Sequence, residues 1–133
     1  MIRAPLFTRG WRISITVAIT LGATAFLARP QEADDPLDSL KLCAATQKLI
    51  FENQFVRVID DQIPPGVTEP MHRHRHGVSV YLNTYVNEQV TQDGKKSRQE
   101  RKAGTANWAE PVVHSVTNTD SVPSHAIRIE LKY

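Results

Sequence analysis

The 133-residue chain reads as an all-β domain, a sandwich or barrel of short antiparallel strands behind an apolar leader. Three observations predict this. From Lys48 onward apolar and polar residues alternate with a period of two, which is the pattern of half-buried strands. Turn signals such as Pro64-Pro65-Gly66 and Asp93-Gly94 divide that pattern into runs of strand length. Helical spacing is confined to one short stretch, "LDSLKLCAATQKL".

In chain order, "MIRAPLFTRGWR" carries Arg3, Arg9 and Arg12 without an acid, and the uncharged run "ISITVAITLGATA" follows. That is the layout of a signal peptide over residues 1–25, with Ala23 and Ala25 forming a small-x-small cleavage site. It predicts a periplasmic or secreted domain. The alternative is an uncleaved anchor, because Trp11 to Ala28 approaches the roughly 20 residues that span a bilayer. Thr16, Thr20, Gly22 and Thr24 weaken that reading, and membrane contact is expected only through this segment. The leader also holds the excess charge. The whole chain is +2, and removing three of its 16 basic residues leaves 13 against 14 acids, a net of about −1.

Residues 26–49 read as a linker with a short helix, capped by Asp38 or Ser39 and carrying Leu37, Leu40 and Ala44 at helical spacing. Cys43 is the only cysteine, so no intrachain disulfide can form, and a buried thiol is expected. Residues 50–133 form the β domain. "KLIFENQFVRVIDDQI" is two strands broken at Glu52-Asn53, and "HRHRHGVSVYLNTYVNEQVTQ" is one long alternating run ending at the Asp93-Gly94 hairpin. "KKSRQERKAG" returns as a charged strand, "ANWAEPVVHSVTN" is a strand pair, and "SHAIRIELKY" closes the chain. The basic run after Asp93 has no interleaved aromatic residues for base stacking, so it reads as a solvated edge strand and nucleic acid is excluded as a partner.

Chemistry concentrates in "EPMHRHRHGVSVYL". Alternate residues of a strand share a face, so His72, His74 and His76 should point the same way, with Val78, Val80 and Leu82 beyond them. An inward row of imidazoles needs partners, either a metal ion or a hydrogen-bond network. His114 alternates with Val112 and Val116 and is the best third ligand to join His72 and His74. His76 is a further candidate. His125 shares the parity of Ile127, Ile129 and Leu131 and is expected inward as a core residue. Glu69, three residues before His72, falls on the opposite parity and is expected to face solvent. Trp108, Tyr81 and Arg128 are weaker pocket candidates: Trp108 reads as core, while Tyr81 and Arg128 fall on the outward parity. No residue stands out as catalytic.

These residues resemble the cupin superfamily. "GVTEPMHRH" is similar to its first motif, a glycine, five residues and His-x-His, followed by a glutamate three or four residues on. Gly104, Pro111 and His114-x3-Asn118 match its second motif in part, without the second glycine. The likeness covers about Phe51 to Lys132 and implies a small, single-domain, cupin-2-like barrel, antiparallel and jelly-roll-like. It implies His72, His74 and His114 as ligands of a divalent transition metal (Fe, Zn, Ni, Cu or Mn), a small-molecule ligand or substrate, and a homodimer as a candidate assembly. The glutamate of the motif would fall at Val78 or Ser79, and neither is acidic; parity makes Val78 its replacement. A three-His site leaves more positions open, as in the superfamily's thiol dioxygenases. The readings that follow are a metal-dependent oxygenase or isomerase, a non-catalytic metal- or ligand-binding module, or a metal-free barrel held by a histidine network.

Overall fold

A computed structural model describes residues 34–133; the leader and the start of the linker lie outside the described residues. The short helix is α1 (Ser39–Leu42), and the Asp38 carboxylate caps it by accepting the Leu40 N–H at 3.0 Å. Nine strands follow: β1 (Gln47–Glu52), β2 (Val56–Ile63), β3 (Thr68–His74), β4 (Gly77–Tyr81), β5 (Tyr85–Thr91), β6 (Lys96–Arg101), β7 (Ala106–Ala109), β8 (Val112–Asn118) and β9 (Ser124–Leu131).

They form a five-stranded sheet in the order β1-β2-β9-β4-β7 and a four-stranded sheet in the order β3-β8-β5-β6, with every strand pair antiparallel. Hairpins join β1 to β2 and β5 to β6, while other connections pass from one sheet to the other. The β5–β6 hairpin turns at Asp93-Gly94, where Gly94 takes φ 81° and donates its N–H to the Thr91 carbonyl at 2.8 Å. The basic strand β6 lies at a sheet edge, as its charge predicts.

The long alternating run after His72 is not one strand. It breaks at Arg75-His76 and again at Leu82 to Thr84, giving the end of β3, then β4, then β5. Gly77 begins β4 against β9, and a Cβ there would lie 1.9 Å from the Ile129 carbonyl oxygen. Only glycine permits that approach. Because the chain turns this corner, the parity of β3 does not carry into β4.

The consequence is an inverted interior. On β9 the buried residues are Ser124, Ala126, Arg128 and Glu130, while His125, Ile127, Ile129 and Leu131 are half-buried on the other face. On β4, Ser79 and Tyr81 face the cavity between the sheets. Val78 lies opposite Ile129 and Trp108, and Val80 opposite Ile127 and Ala106, so these apolar side chains cover one another across strands on the outer face. Four expectations are thereby corrected: Tyr81 and Arg128 are buried, Trp108 is 53% exposed rather than core, and His125 stays outside, its Nε2 2.7 Å from Asp60 Oδ1. The apolar core is small, centred on Ile59, Ile63, Tyr81, Tyr85 and Ala126. Cys43 is buried as expected, and burial pushes its thiol up to about 12.

Candidate metal centre

Strand β3 supplies His72 and His74, and β8 supplies His114 directly opposite His72. The pairing register slips by one residue between Glu69 and His72: β3 spends three steps where β8 spends two, from Val116 to His114. This β-bulge at Pro70-Met71 suits a proline, which has no N–H to leave unpaired. It also cancels the parity difference between Glu69 and His72. Glu69 is therefore 2% exposed, with Oε2 3.7 Å from His72 Nε2, instead of facing solvent as the unbroken alternation predicts.

The three rings pack edge to face with centroids 4.7, 4.8 and 5.4 Å apart, and one nitrogen of each lies within 4.8 Å of the others. His76 is not among them. Beyond the break in β3 it stacks on Trp108 at 5.9 Å and meets Tyr133, on the outside.

The far nitrogens fix the tautomers. His72 Nδ1 is 2.7 Å from the Pro70 carbonyl, which can only accept, so Nδ1 carries the proton. His74 Nδ1 donates to Glu130 Oε1 at 2.5 Å. With one proton on each ring, both held at Nδ1, the two Nε2 atoms face each other as lone pairs 3.0 Å apart. Facing lone pairs repel unless a cation or a shared proton lies between them. The third ring contributes His114 Nε2, buried and without a hydrogen-bond partner, while its Nδ1 meets the Gln89 side-chain amide. Burial, then the charges of neighbouring groups, lowers His72 to about 4 and His114 to about 2, so both rings are neutral, ligand-ready imidazoles near pH 7.

The facing sheet provides the ionic surroundings. Glu130 Oε2 accepts from Arg57 Nε at 2.6 Å, and Arg57 Nη1 donates to Asp38 at 2.5 Å, so a charged chain runs from the cap of α1 through β2 and β9 to His74. Burial raises the Glu130 carboxyl, but the bonds to His74 and Arg57 outweigh it and hold the group near 2. A carboxylate fixed on the outer nitrogen of an imidazole orients the ring and raises its basicity, the usual support behind a metal-binding histidine. Asp61 of β2 and Glu69 of β3 meet from the two sheets; both are raised above the ordinary carboxylate range, chiefly by burial, and are hydrogen-bonded to each other.

Sequence reasoning missed Asp38, Arg57, Glu69, Asp61 and Glu130. Arg57 and Glu130 alternate with apolar neighbours that look more inward than they do, Asp61 shares the parity of the core residues Ile59 and Ile63 but lies between Asp60 and Gln62, and the bulge that admits Glu69 is signalled only by Pro70. Val78 does not occupy a site position. Of the two places where the motif glutamate would fall, Ser79 faces the cavity, its Oγ accepting from Arg128 Nη1 at 3.0 Å.

The cavity between the sheets has a volume of about 250 Å³ and is lined by His74 and His114 at one end and by Tyr81, Arg101 and Asn107 elsewhere. Two antiparallel sheets thus enclose a polar cavity with a histidine cluster on one wall. Among solved structures, a cupin domain from Bordetella pertussis is 26% identical to this chain, with a TM-score of 0.61, covering 65% of this chain and 92% of that one. An RmlC-like cupin family protein with a double-stranded β-helix fold from Methanocaldococcus jannaschii is 13% identical (TM-score 0.51, 64% and 77% covered). A cupin superfamily protein from Desulfitobacterium hafniense is 7% identical (TM-score 0.50, 65% and 76% covered); these two likenesses carry the fold alone. No protein-family model and no curated protein matches the chain. The chain has the fold of the cupin superfamily, and neither expected position of the first motif holds an acid.

Proposed function

We propose that this is an exported cupin that binds one divalent transition metal through His72, His74 and His114 and acts on a small molecule in the adjoining cavity as a metal-dependent oxygenase or isomerase. One observation carries the reading: two imidazoles whose Nδ1 atoms are engaged by a carbonyl and a carboxylate turn their Nε2 atoms toward each other at 3.0 Å, beside a third buried Nε2 that has no partner. That separation is less than twice the metal–nitrogen distance of about 2.0–2.1 Å, so both nitrogens can reach one ion. Ligation by His114 through Nε2 requires its proton on Nδ1; the Gln89 amide nitrogen faces Nδ1 here, so the amide must turn over to accept that proton with its oxygen. The nitrogen set suits Fe, Zn, Ni or Cu, with Mn less favoured by donor softness. When bound, the ion supplies a Lewis acid or a dioxygen site with open positions. The Asp61–Glu69 pair on the cavity wall is the group placed to hold or move a proton for a bound substrate.

Metal analysis of untagged protein recovered from the periplasm or medium, before and after incubation with Fe(II), Zn(II), Ni(II) or Cu(II), tests the site. We expect about one equivalent, falling below about a tenth in His114→Ala. Wild-type protein that stays below a tenth with every ion overturns the proposal in favour of a proton shared between His72 and His74. Oxygen uptake with candidate thiol and diketone substrates then separates an oxygenase from a metal or ligand holder. Intact-mass measurement of the exported protein tests the leader, the expected new terminus being Phe26; an intact leader in a membrane fraction would establish the anchor instead.

A further inference from the structure

The cavity has a second polar end. Of the three arginines that reach the barrel interior, Arg57 is bonded to Asp38 and Glu130, and Arg128 donates to Ser79 Oγ and the Arg75 carbonyl. Arg101 differs. Its Nη2 donates to Gln99 Oε1 at 2.8 Å and its guanidinium lies 5.1 Å over the Tyr81 ring, but among the described residues no carboxylate pairs with it. A half-buried guanidinium facing a cavity without an anion is an unusual arrangement, since long charged side chains normally find water or a counter-charge. Stacking on Tyr81 holds it aimed inward.

Besides His114 Nε2, three of the described cavity-lining residues carry buried polar atoms without a hydrogen bond: the acceptors Asn87 Oδ1 and Asp61 Oδ1, and the donor Arg128 Nε, which lies 3.8 Å from Glu130 Oε1. The acids of the wall do not cancel the positive end. None of them pairs with Arg101: Asp61 and Glu69 are engaged with each other, Glu130 with Arg57, His74 and, at 3.8 Å, Arg128, and Glu110, at the exposed rim, accepts from Trp108 Nε1 at 2.8 Å. The space is about 250 Å³, below the roughly 300–1,000 Å³ of pockets for drug-sized ligands.

We infer that the cavity takes a small hydroxylated carboxylic acid, its carboxylate on Arg101 with Arg128 Nε nearby, a hydroxyl donating to Asn87 Oδ1, and its other end toward the imidazole cluster. The guanidinium fork recognises the anion, the unpaired acceptor at Asn87 selects for a hydroxyl donor, and the volume limits length. Arg101 is a specificity residue remote from the metal ligands. The inference deepens the proposed function but uses groups that the metal does not touch, so the two can fail separately.

Calorimetric titration with gluconate and malate, each against its uncharged amide, tests the inference on protein stripped with 1,10-phenanthroline and again on protein loaded with Zn(II). In stripped protein at least one acid is expected to bind at least tenfold more tightly than its amide. Arg101→Gln is expected to abolish that preference without moving the melting temperature or the zinc content, and Arg101→Lys to restore part of it. Acid and amide binding equally, neither acid binding, or Arg101→Gln keeping the preference would each overturn the inference, whatever the metal content. Acid binding by Arg101 in a protein that takes up no metal would uphold it while removing the metal reading.

Discussion

Strands β8 and β9 belong to opposite sheets of the barrel and have similar sequence patterns, "VVHSVTN" and "SHAIRIEL", yet they bury opposite kinds of residue. On β8 the inward set is Val112, His114 and Val116, the one that apolar alternation selects. On β9 it is Ala126, Arg128 and Glu130, the set that alternation rejects. The four-stranded sheet thus carries neutral imidazoles with apolar neighbours, and the five-stranded sheet carries the ions that position them. Hydrophobic pattern locates a buried face only when burial is mainly apolar. Where a strand lines a polar site, ion pairs and hydrogen bonds can make the polar parity the inner one, and the apolar parity covers itself across strands on the outside.

The most severe way to break this arrangement is to remove the acid on β9. Glu130→Ala leaves the Arg57 guanidinium short of a buried partner and frees His74 Nδ1, and a loss of about 3–5 kcal/mol is expected in denaturant titrations. A loss below about 1 kcal/mol would mean that the ionic face is not what anchors β9.

Acid should weaken the metal-free fold from the imidazole side as well. His72 protonates near 6.5 in the unfolded chain but only near 4 when folded, and His114 lower still. Between those values the unfolded state binds more protons, so stability falls as the pH falls, by on the order of 3 kcal/mol for each ring from pH 7 to pH 4, offset in part by the raised Asp61 and Glu69 carboxyls, which act in the opposite sense. Below about pH 4.5 protonation of Glu130, held near 2 in the fold, adds to the loss. Chemical denaturation of metal-free protein across that range measures it, and a flat profile would show that the rings are not buried as described.

A gentler change separates orientation from packing. Glu130→Gln keeps an acceptor for His74 but drops the charge, and metal affinity should fall about 10–100-fold. Val78→Glu restores an acid at one motif position, yet on the outer face, and zinc affinity should stay within about twofold by competition with a chelating dye. A tenfold gain from Val78→Glu would put that side chain inside and contradict the parity of β4. The smallest effect is expected for Ile127→Thr, a half-buried outer residue, at no more than about 1 kcal/mol in a thermal melt.

Much of the molecule was legible in its sequence because the signals are local. The Asp93-Gly94 turn, the charged edge strand, the all-β class and the His72-x-His74 spacing each depend on a few neighbouring residues, and the structure brings His114 beside that pair. Glu69, Glu130, Arg57 and Arg101 were not legible, for reasons that are not local. A one-residue bulge at Pro70-Met71 turned Glu69 inward, a corner at Gly77 reset the parity after His76, and only the pairing of β9 between β2 and β4 brought Glu130 onto His74.

The sequence by itself determined the strand content, the charge distribution and the histidine cluster, since propensity, period and side-chain chemistry are properties of the chain. Tertiary structure alone decided which face of each strand lines the cavity. A single slip in register reverses every side chain beyond it, and only the buried contacts of the folded barrel select one register over the next.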